Sequence, residues 1–113
     1  MKPKYAEWTE TNAWDEVVET GGTWLILKHS TACPISGAAF QEFNILAGLP
    51  QKKFKPVLIK VIESRPVSNR ITEATGVTHE SPQALLIVDG EVRWHASHWK
   101  VTFEAMKEAL SRK

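Results

Sequence analysis

The stretch TWLILKHSTACPISGAAFQEFNILAG, residues 23–48, joins an apolar run to a helical pattern through the only cysteine of the chain. Residues 23–28 follow two glycines and are apolar except at their ends, which predicts a short buried strand. From Pro34 onward, apolar side chains recur at helical spacing until Gly48, which predicts a helix that ends there. Cys33 therefore lies at a strand-to-helix junction.

Patterns outside this stretch predict three further helices and three further strands. Helices are expected within 7–20, from Ser64 to Gly76 and over 101–113, where apolar side chains fall near one face. A β-branched run at 54–62 predicts a second buried strand, and Asp89-Gly90 joins two more strands as a hairpin. The element order is αβαβαββα.

This order predicts an α/β fold with one mixed sheet. Strands separated by a helix are expected to be parallel, whereas the two strands of the hairpin must be antiparallel. A mixed four-stranded sheet with helices on both faces follows, which is the architecture of a thioredoxin-like domain. The length of 113 residues predicts a single domain spanning 1–113.

Composition argues against several classes of function. With 14 Lys and Arg against 13 Asp and Glu, the net charge is +1, so we expect neither nucleic acid nor an anionic membrane as partner. The polar N-terminus predicts no secretory signal, and no apolar run is long enough to span a membrane. A lone cysteine cannot form an internal disulfide, so we expect a cytoplasmic protein. We also expect the chain to be a monomer or a weak dimer. Any redox role of the cysteine must then be intermolecular.

The position of the cysteine predicts an activated thiol. Proline is favoured at the first helical position, so Pro34 places Cys33 at the N-cap. The sulfur would then face the N–H groups of Ile35 and Ser36, and these donors together with the helix dipole favour thiolate over thiol. The Ser36 hydroxyl could add another donor. The alternative is a cysteine that is merely buried, which is the commoner role of a lone cysteine.

The sequence also indicates what the site lacks. Ser36 stands where a two-cysteine motif would have its second thiol, so a mixed disulfide on Cys33 must be resolved by a separate thiol. Further along the chain, Pro82 immediately precedes a predicted strand. A cis Ser81-Pro82 bond would leave the main chain of Ser81 free to pair with an extended thiol-containing ligand, although the sequence alone favours trans.

Three blocks of the sequence together resemble one known family, the monothiol bacilliredoxins. The blocks are LKHSTACPIS at 27–36, VIESRPVSNRITEATGVTHESPQALL at 61–86 and GEVRWHASHWKVT at 90–102. The likeness extends from about Trp24 to Leu110, and the first twenty or so residues carry little of it.

The resemblance implies a thioredoxin-like fold and the removal of bacillithiol from mixed disulfides on protein cysteines. It assigns Cys33 as the nucleophile, with Ser36 beside it, and Pro82 as the cis-proline of the fold. Bacillithiol would be the co-substrate and bacillithiolated proteins the partners, with no tightly bound cofactor. The predicted ligand-binding residues are Lys28, His29, Pro34, Arg65, Ser81 and Pro82.

Other readings remain open. The chain could be a non-catalytic thioredoxin-like binding module, or a monothiol redoxin that uses another small thiol. His95 and His98, with Cys33 elsewhere, give only a weak zinc pattern, and no metal site is expected. Trp14 and Trp24 are predicted to lie in the core, whereas Trp8 or Trp99 could contact client proteins if exposed.

Overall fold

A computed structural model of the chain describes residues 4–50 and 53–112. The polar start of the chain at 1–3 and the last residue of the predicted closing helix lie outside the described residues. The nine helices and strands, in chain order, are β1 (Ala6–Glu7), α1 (Ala13–Thr20), β2 (Thr23–His29), α2 (Pro34–Ala47), β3 (Lys55–Lys60), α3 (Arg65–Thr75), β4 (Gln83–Val88), β5 (Glu91–Ser97) and α4 (Phe103–Arg112). A single 3₁₀ turn, His98–Lys100, precedes α4. None of the described helices is long and apolar enough to cross a membrane.

The sheet is mixed, as the sequence predicts, but it has five strands instead of four. Their spatial order is β1-β3-β2-β4-β5, with β2 parallel to β3 and antiparallel to β4. The extra strand, β1, has only two residues and pairs in parallel with β3 at the edge. Both of its side chains are exposed, so it carries no alternation that a sequence pattern could reveal.

Helices cover the two faces of the sheet, and the side chains of β2 alternate between them. Trp24, Ile26 and Lys28 face α1 and α3, whereas Leu25, Leu27 and His29 face α2 and α4. Because β2 is the middle strand and is covered on both faces, its apolar run is continuous. After this run, the strand ends with two buried polar residues, Lys28, which is fully buried, and His29.

The hairpin predicted at Asp89-Gly90 is confirmed. The φ angles there are 50° and 83°, the positive values that a two-residue hairpin turn of this kind needs. The Asp89 carboxylate also accepts a hydrogen bond from the N–H of Gly22 at 2.8 Å, which ties the turn to the start of β2. These contacts lie at the opposite end of β2 from Cys33.

Candidate active site

Three segments of the chain meet at the end of β2 that leads to Cys33. His29, the last residue of β2, pairs with Lys60 at the end of β3, and Lys28 pairs with Gln83 at the start of β4. The loop that carries Cys33, the loop before α3 and the Ser81-Pro82 segment before β4 therefore lie at one edge of the sheet. An edge of this kind is where α/β folds place ligands and chemistry.

Cys33 is the N-cap residue of α2, as the sequence predicts. Its backbone is extended (φ −115°, ψ 122°), Pro34 begins the helix, and the N–H of Gly37 donates to the Cys33 carbonyl at 3.0 Å. The side chain is partly buried, but the sulfur makes no capping hydrogen bond, which differs from the expected contact with Ile35 and Ser36. No side chain of residues 4–50 or 53–112 therefore caps the first turn of α2, and the helix presents those N–H donors at the edge of the site.

Ser36 lies inside the protein rather than at the surface beside the thiol. It is fully buried, and its hydroxyl oxygen accepts the N–H of Ser30 at 2.8 Å and pairs with Nδ1 of His29 at 2.8 Å. Since the oxygen accepts from Ser30, its own hydrogen can point to the unprotonated Nδ1 of a neutral His29. The predicted contact between this hydroxyl and the Cys33 thiolate is not among the hydrogen bonds of Ser36. Instead, Ser36 closes the loop that holds Cys33.

His29, a predicted ligand contact, is held in the interior by its neighbours. It is 9% exposed, and its ring stacks on Phe40 with the centroids 5.0 Å apart. Burial lowers the pKa of His29 below its ordinary 6.5, a shift that a hydrogen bond with the main chain of Ser36 opposes, while Lys60 lowers it further and Glu63 raises it. The imidazole is therefore neutral at pH 7, and in that state Nδ1 can accept the hydrogen of the Ser36 hydroxyl.

Replacing Ser36 by alanine is expected to destabilise the fold by about 1–3 kcal/mol, because the N–H of Ser30 and Nδ1 of His29 lose their buried partner. Urea unfolding at pH 7 measures the effect. The matched control is Ser111→Ala on α4, an exposed serine that bonds only to the nearby carbonyl of Glu108. If Ser36→Ala is no less stable than Ser111→Ala, the two buried hydrogen bonds contribute nothing and this account of the loop is wrong.

The Ser81-Pro82 peptide bond is cis, as the family resemblance implies. Pro82 is buried, and its carbonyl accepts the N–H of His98 at 2.8 Å, which ties the segment to the turn before α4. Ser81 is partly exposed, and its main chain makes no hydrogen bond to another described residue. Its backbone donor and acceptor are thus available to an extended ligand.

Lys28 and Arg65 take different positions on the α3 side of the site. Lys28 is fully buried, and its Nζ donates to the carbonyl of Ser68 at 3.2 Å and to the hydroxyl of Thr72 at 3.0 Å. Burial lowers the pKa of Lys28 from its ordinary 10.5 to about 8. Arg65 is exposed at the first turn of α3. Of these two predicted contacts, only Arg65 presents its side chain to solvent.

Sequence reasoning missed His79, which lies three residues before Pro82. It is partly exposed, and its Nδ1 lies 3.1 Å from the hydroxyl oxygen of buried Ser68. Burial lowers the pKa of His79, the charges of Lys28 and Arg65 lower it further, and Glu80 raises it. Its proximity in sequence to the cis-proline was the one available signal. The charges of Lys28 and Arg65 therefore reach His79 on the α3 side of the site, with Glu80 opposing them.

The remaining candidates divide by exposure. Trp14 and Trp24 lie in the core, as expected; Trp8 is also buried, whereas Trp99 is 71% exposed. His95 and His98 are both exposed. No three His, Cys, Asp or Glu side chains in the described part of the chain come together as metal ligands would.

Comparison with known proteins gives the family and the fold of this chain. A family model described as monothiol bacilliredoxin BrxC matches residues 6–106. A solved structure described as a candidate oxidoreductase with a thioredoxin fold is 30% identical, with a TM-score of 0.82, over 93% of this chain and 92% of that chain. The thioredoxin of Malassezia sympodialis is 13% identical, with a TM-score of 0.76, over 98% and 91% of the two chains. A thioredoxin mutant of Entamoeba histolytica is 17% identical, with a TM-score of 0.76, over 96% and 99%. The last two likenesses show the fold alone.

Proposed function

We propose that this chain, which belongs to the monothiol bacilliredoxin family, removes bacillithiol from mixed disulfides on protein cysteines through Cys33. Family and fold together make it a thiol-redox protein with an oxidoreductase architecture. The observation that carries the finer proposal is the position of its only thiol. Cys33 is partly exposed at the N-terminus of α2, at the same edge of the sheet as a cis-proline whose neighbour Ser81 has no main-chain partner among the described residues.

The proposed reaction has two exchange steps. The Cys33 thiolate attacks the bacillithiol sulfur of the adduct, a Cys33–bacillithiol disulfide forms, and the client thiolate leaves and takes a proton from solvent. A second thiolate, from free bacillithiol or another redoxin, then attacks the bacillithiol sulfur on Cys33 and releases the Cys33 thiolate. The chain cannot perform this second step alone, because it has no other cysteine and Ser36 occupies the place of a resolving thiol.

Recognition of bacillithiol is proposed to use both sides of the cysteine. The ligand would lie along Ser81 and accept or donate main-chain hydrogen bonds there, as extended ligands do at an unpaired segment. Its carboxylates would meet Arg65 and His79 at the surface, with the buried charge of Lys28 behind them. Pro34 and His29 would shape the site rather than donate to the ligand. A reducing cytoplasm is the proposed location, because both steps need free thiols.

The proposal is tested by following the mass of the protein after it meets a bacillithiolated model protein. We expect the mass of one bacillithiol to appear on the peptide that contains Cys33 while the model protein returns to its free thiol form. The same model protein carrying glutathione is the comparator. Equal transfer from both adducts would assign a general monothiol redoxin, and absence of transfer from either would contradict the proposed activity.

A further inference from the structure

A shallow groove runs along the flank of α2, starting next to the active site. It has a volume of about 270 Å³ and is lined on one side by α2, from Ile35 to Ile45, and on the other by Trp99 and Thr102. Around Glu42, Ile45 and Thr102 it continues into a second depression that reaches Phe103 and Glu104. The groove therefore begins two residues after Cys33 and leads away from it.

Large apolar side chains remain exposed along this groove. Trp99 is 71% exposed and Ile45 is 55% exposed, although tryptophan usually buries most of its surface. The main chain that carries Trp99 is held in place, because the N–H of His98 donates to the Pro82 carbonyl and the N–H of Val101 donates to the His98 carbonyl. The indole is thus presented to solvent on a short turn fastened to the active-site segment. Exposed aromatic side chains on such a turn are candidate anchors of protein interfaces, where tryptophan is enriched.

We propose that this groove binds the stretch of client protein that flanks the modified cysteine, with Trp99 as the anchor; the inference rests on the proposed function. In the exchange step the client's sulfur lies next to Cys33, so the client chain must leave the site across a neighbouring surface. The α3 side carries exposed Arg65 and buried Lys28 and is assigned to the carboxylates of the small thiol. The groove on the α2 side is continuous with the site and takes the polypeptide.

The charges of the groove define the client segment further. Its lining includes the carboxylates of Glu42 and Glu104 and no lysine or arginine. One oxygen of Glu42 accepts the N–H of Phe103 at 3.3 Å, and Glu104 is exposed. Ten residues of helix separate Ile35 from Ile45, about 15 Å, which about four or five extended residues span. A preferred client segment therefore has an apolar residue near the cysteine and a Lys or Arg four or five residues away.

The first test is Trp99→Ala, measured with two substrates. The kcat/KM for a bacillithiolated peptide is expected to fall about tenfold or more, whereas the value for the bacillithiol–cysteine mixed disulfide, which has no flanking chain, stays within about twofold. Val18→Ala is the matched control, because Val18 is 63% exposed but lies on α1, on the opposite face of the sheet. A loss shared equally by both substrates, or no loss with either, overturns the proposal.

The second test concerns charge. Peptides with lysine four or five residues from the cysteine, tried on each side in turn, should react faster than peptides with glutamate there, and Glu104→Gln should reduce the preference. If neither kind of peptide reacts faster, the proposed preference for a basic client segment is wrong.

If the chain transfers no bacillithiol at all, the same peptides with serine in place of cysteine are titrated into the Cys33→Ser protein. NMR shift changes at Ile35, Ile45 and Trp99 then support the groove, and changes elsewhere or none overturn it. A dimer in sedimentation that Trp99→Ala dissociates would assign the surface to a second copy and also overturn it.

Discussion

A Cys33→Ser variant is expected to lose bacillithiol transfer by at least about a thousandfold, to the level of the uncatalysed exchange. The chain has no other thiol, and a serine hydroxyl does not attack a disulfide at neutral pH. The serine is a good N-cap residue, so the fold should be retained and α2 should begin at the same place. The measurement is the rate at which the model protein recovers its free thiol.

Ala32→Ser is the control for that variant, because it adds a hydroxyl to the exposed residue next to Cys33 and leaves the sulfur in place. It should keep transfer within a few-fold of the native protein. The same pair of variants separates the proposed enzyme from a binding module. Under the module reading, Cys33→Ser would still bind bacillithiolated partners with native affinity and the native protein would show no turnover, a result that contradicts the function proposed above.

Most of the fold could be predicted from local pattern, and its exceptions have physical causes. The continuous apolar run of β2, the proline at the start of α2 and the Asp89-Gly90 turn each carry their own signal, and each is confirmed. The edge strand β1 carries none, because two exposed residues show no alternation. It forms because Ala6 and Glu7 pair in parallel with β3, a contact between residues 51 positions apart.

The positions of the candidate site residues in the sequence could be predicted, but the contacts of their side chains could not. The N-cap position of Cys33 follows from Pro34 alone, and the cis-proline followed from the family resemblance. What sequence reasoning could not supply is orientation. Ser36 was expected to serve the thiol and instead bonds to Ser30 and His29. Lys28 was expected at the ligand, but the alternation of β2 directs it under α3, where Ser68 and Thr72 accept its hydrogen bonds.

Lys28→Met is expected to raise the free energy of unfolding by about 2–3 kcal/mol at pH 7. The pKa of Lys28 is about 8 in the folded protein and the ordinary 10.5 in the unfolded chain. Below pH 8 the amine is charged in both states, so its burial lowers the free energy of unfolding by the full amount. Methionine has a similar length and removes that cost. Ser68 and Thr72 do not become unpaired, because the Thr72 hydroxyl already donates to the Ser68 carbonyl.

The sign of this effect can be tested through its pH dependence. Between about pH 8 and 10.5 the folded native protein holds fewer protons at Lys28 than the unfolded chain, so its stability should rise with pH in that window. Lys28→Met should lack this rise. Lys60→Met is the matched control at the end of the neighbouring strand; Lys60 is partly exposed and 3.6 Å from Glu7, so its replacement should change stability by less than about 1 kcal/mol. Equal effects of the two substitutions would show that Lys28 is not a buried charge.

A lysine that weakens the fold at neutral pH is a candidate functional residue, because sites of chemistry are where folds tolerate such groups. The activity of Lys28→Met decides this. One outcome is a more stable variant whose kcat/KM falls for the bacillithiolated model protein but not for a mixed disulfide without carboxylates. The buried charge of Lys28 would then help Arg65 and His79 to attract the carboxylates of bacillithiol. If both rates are unchanged, Lys28 only fills the space beneath α3, and Arg65 is the charged residue on this side of the site that attracts the carboxylates.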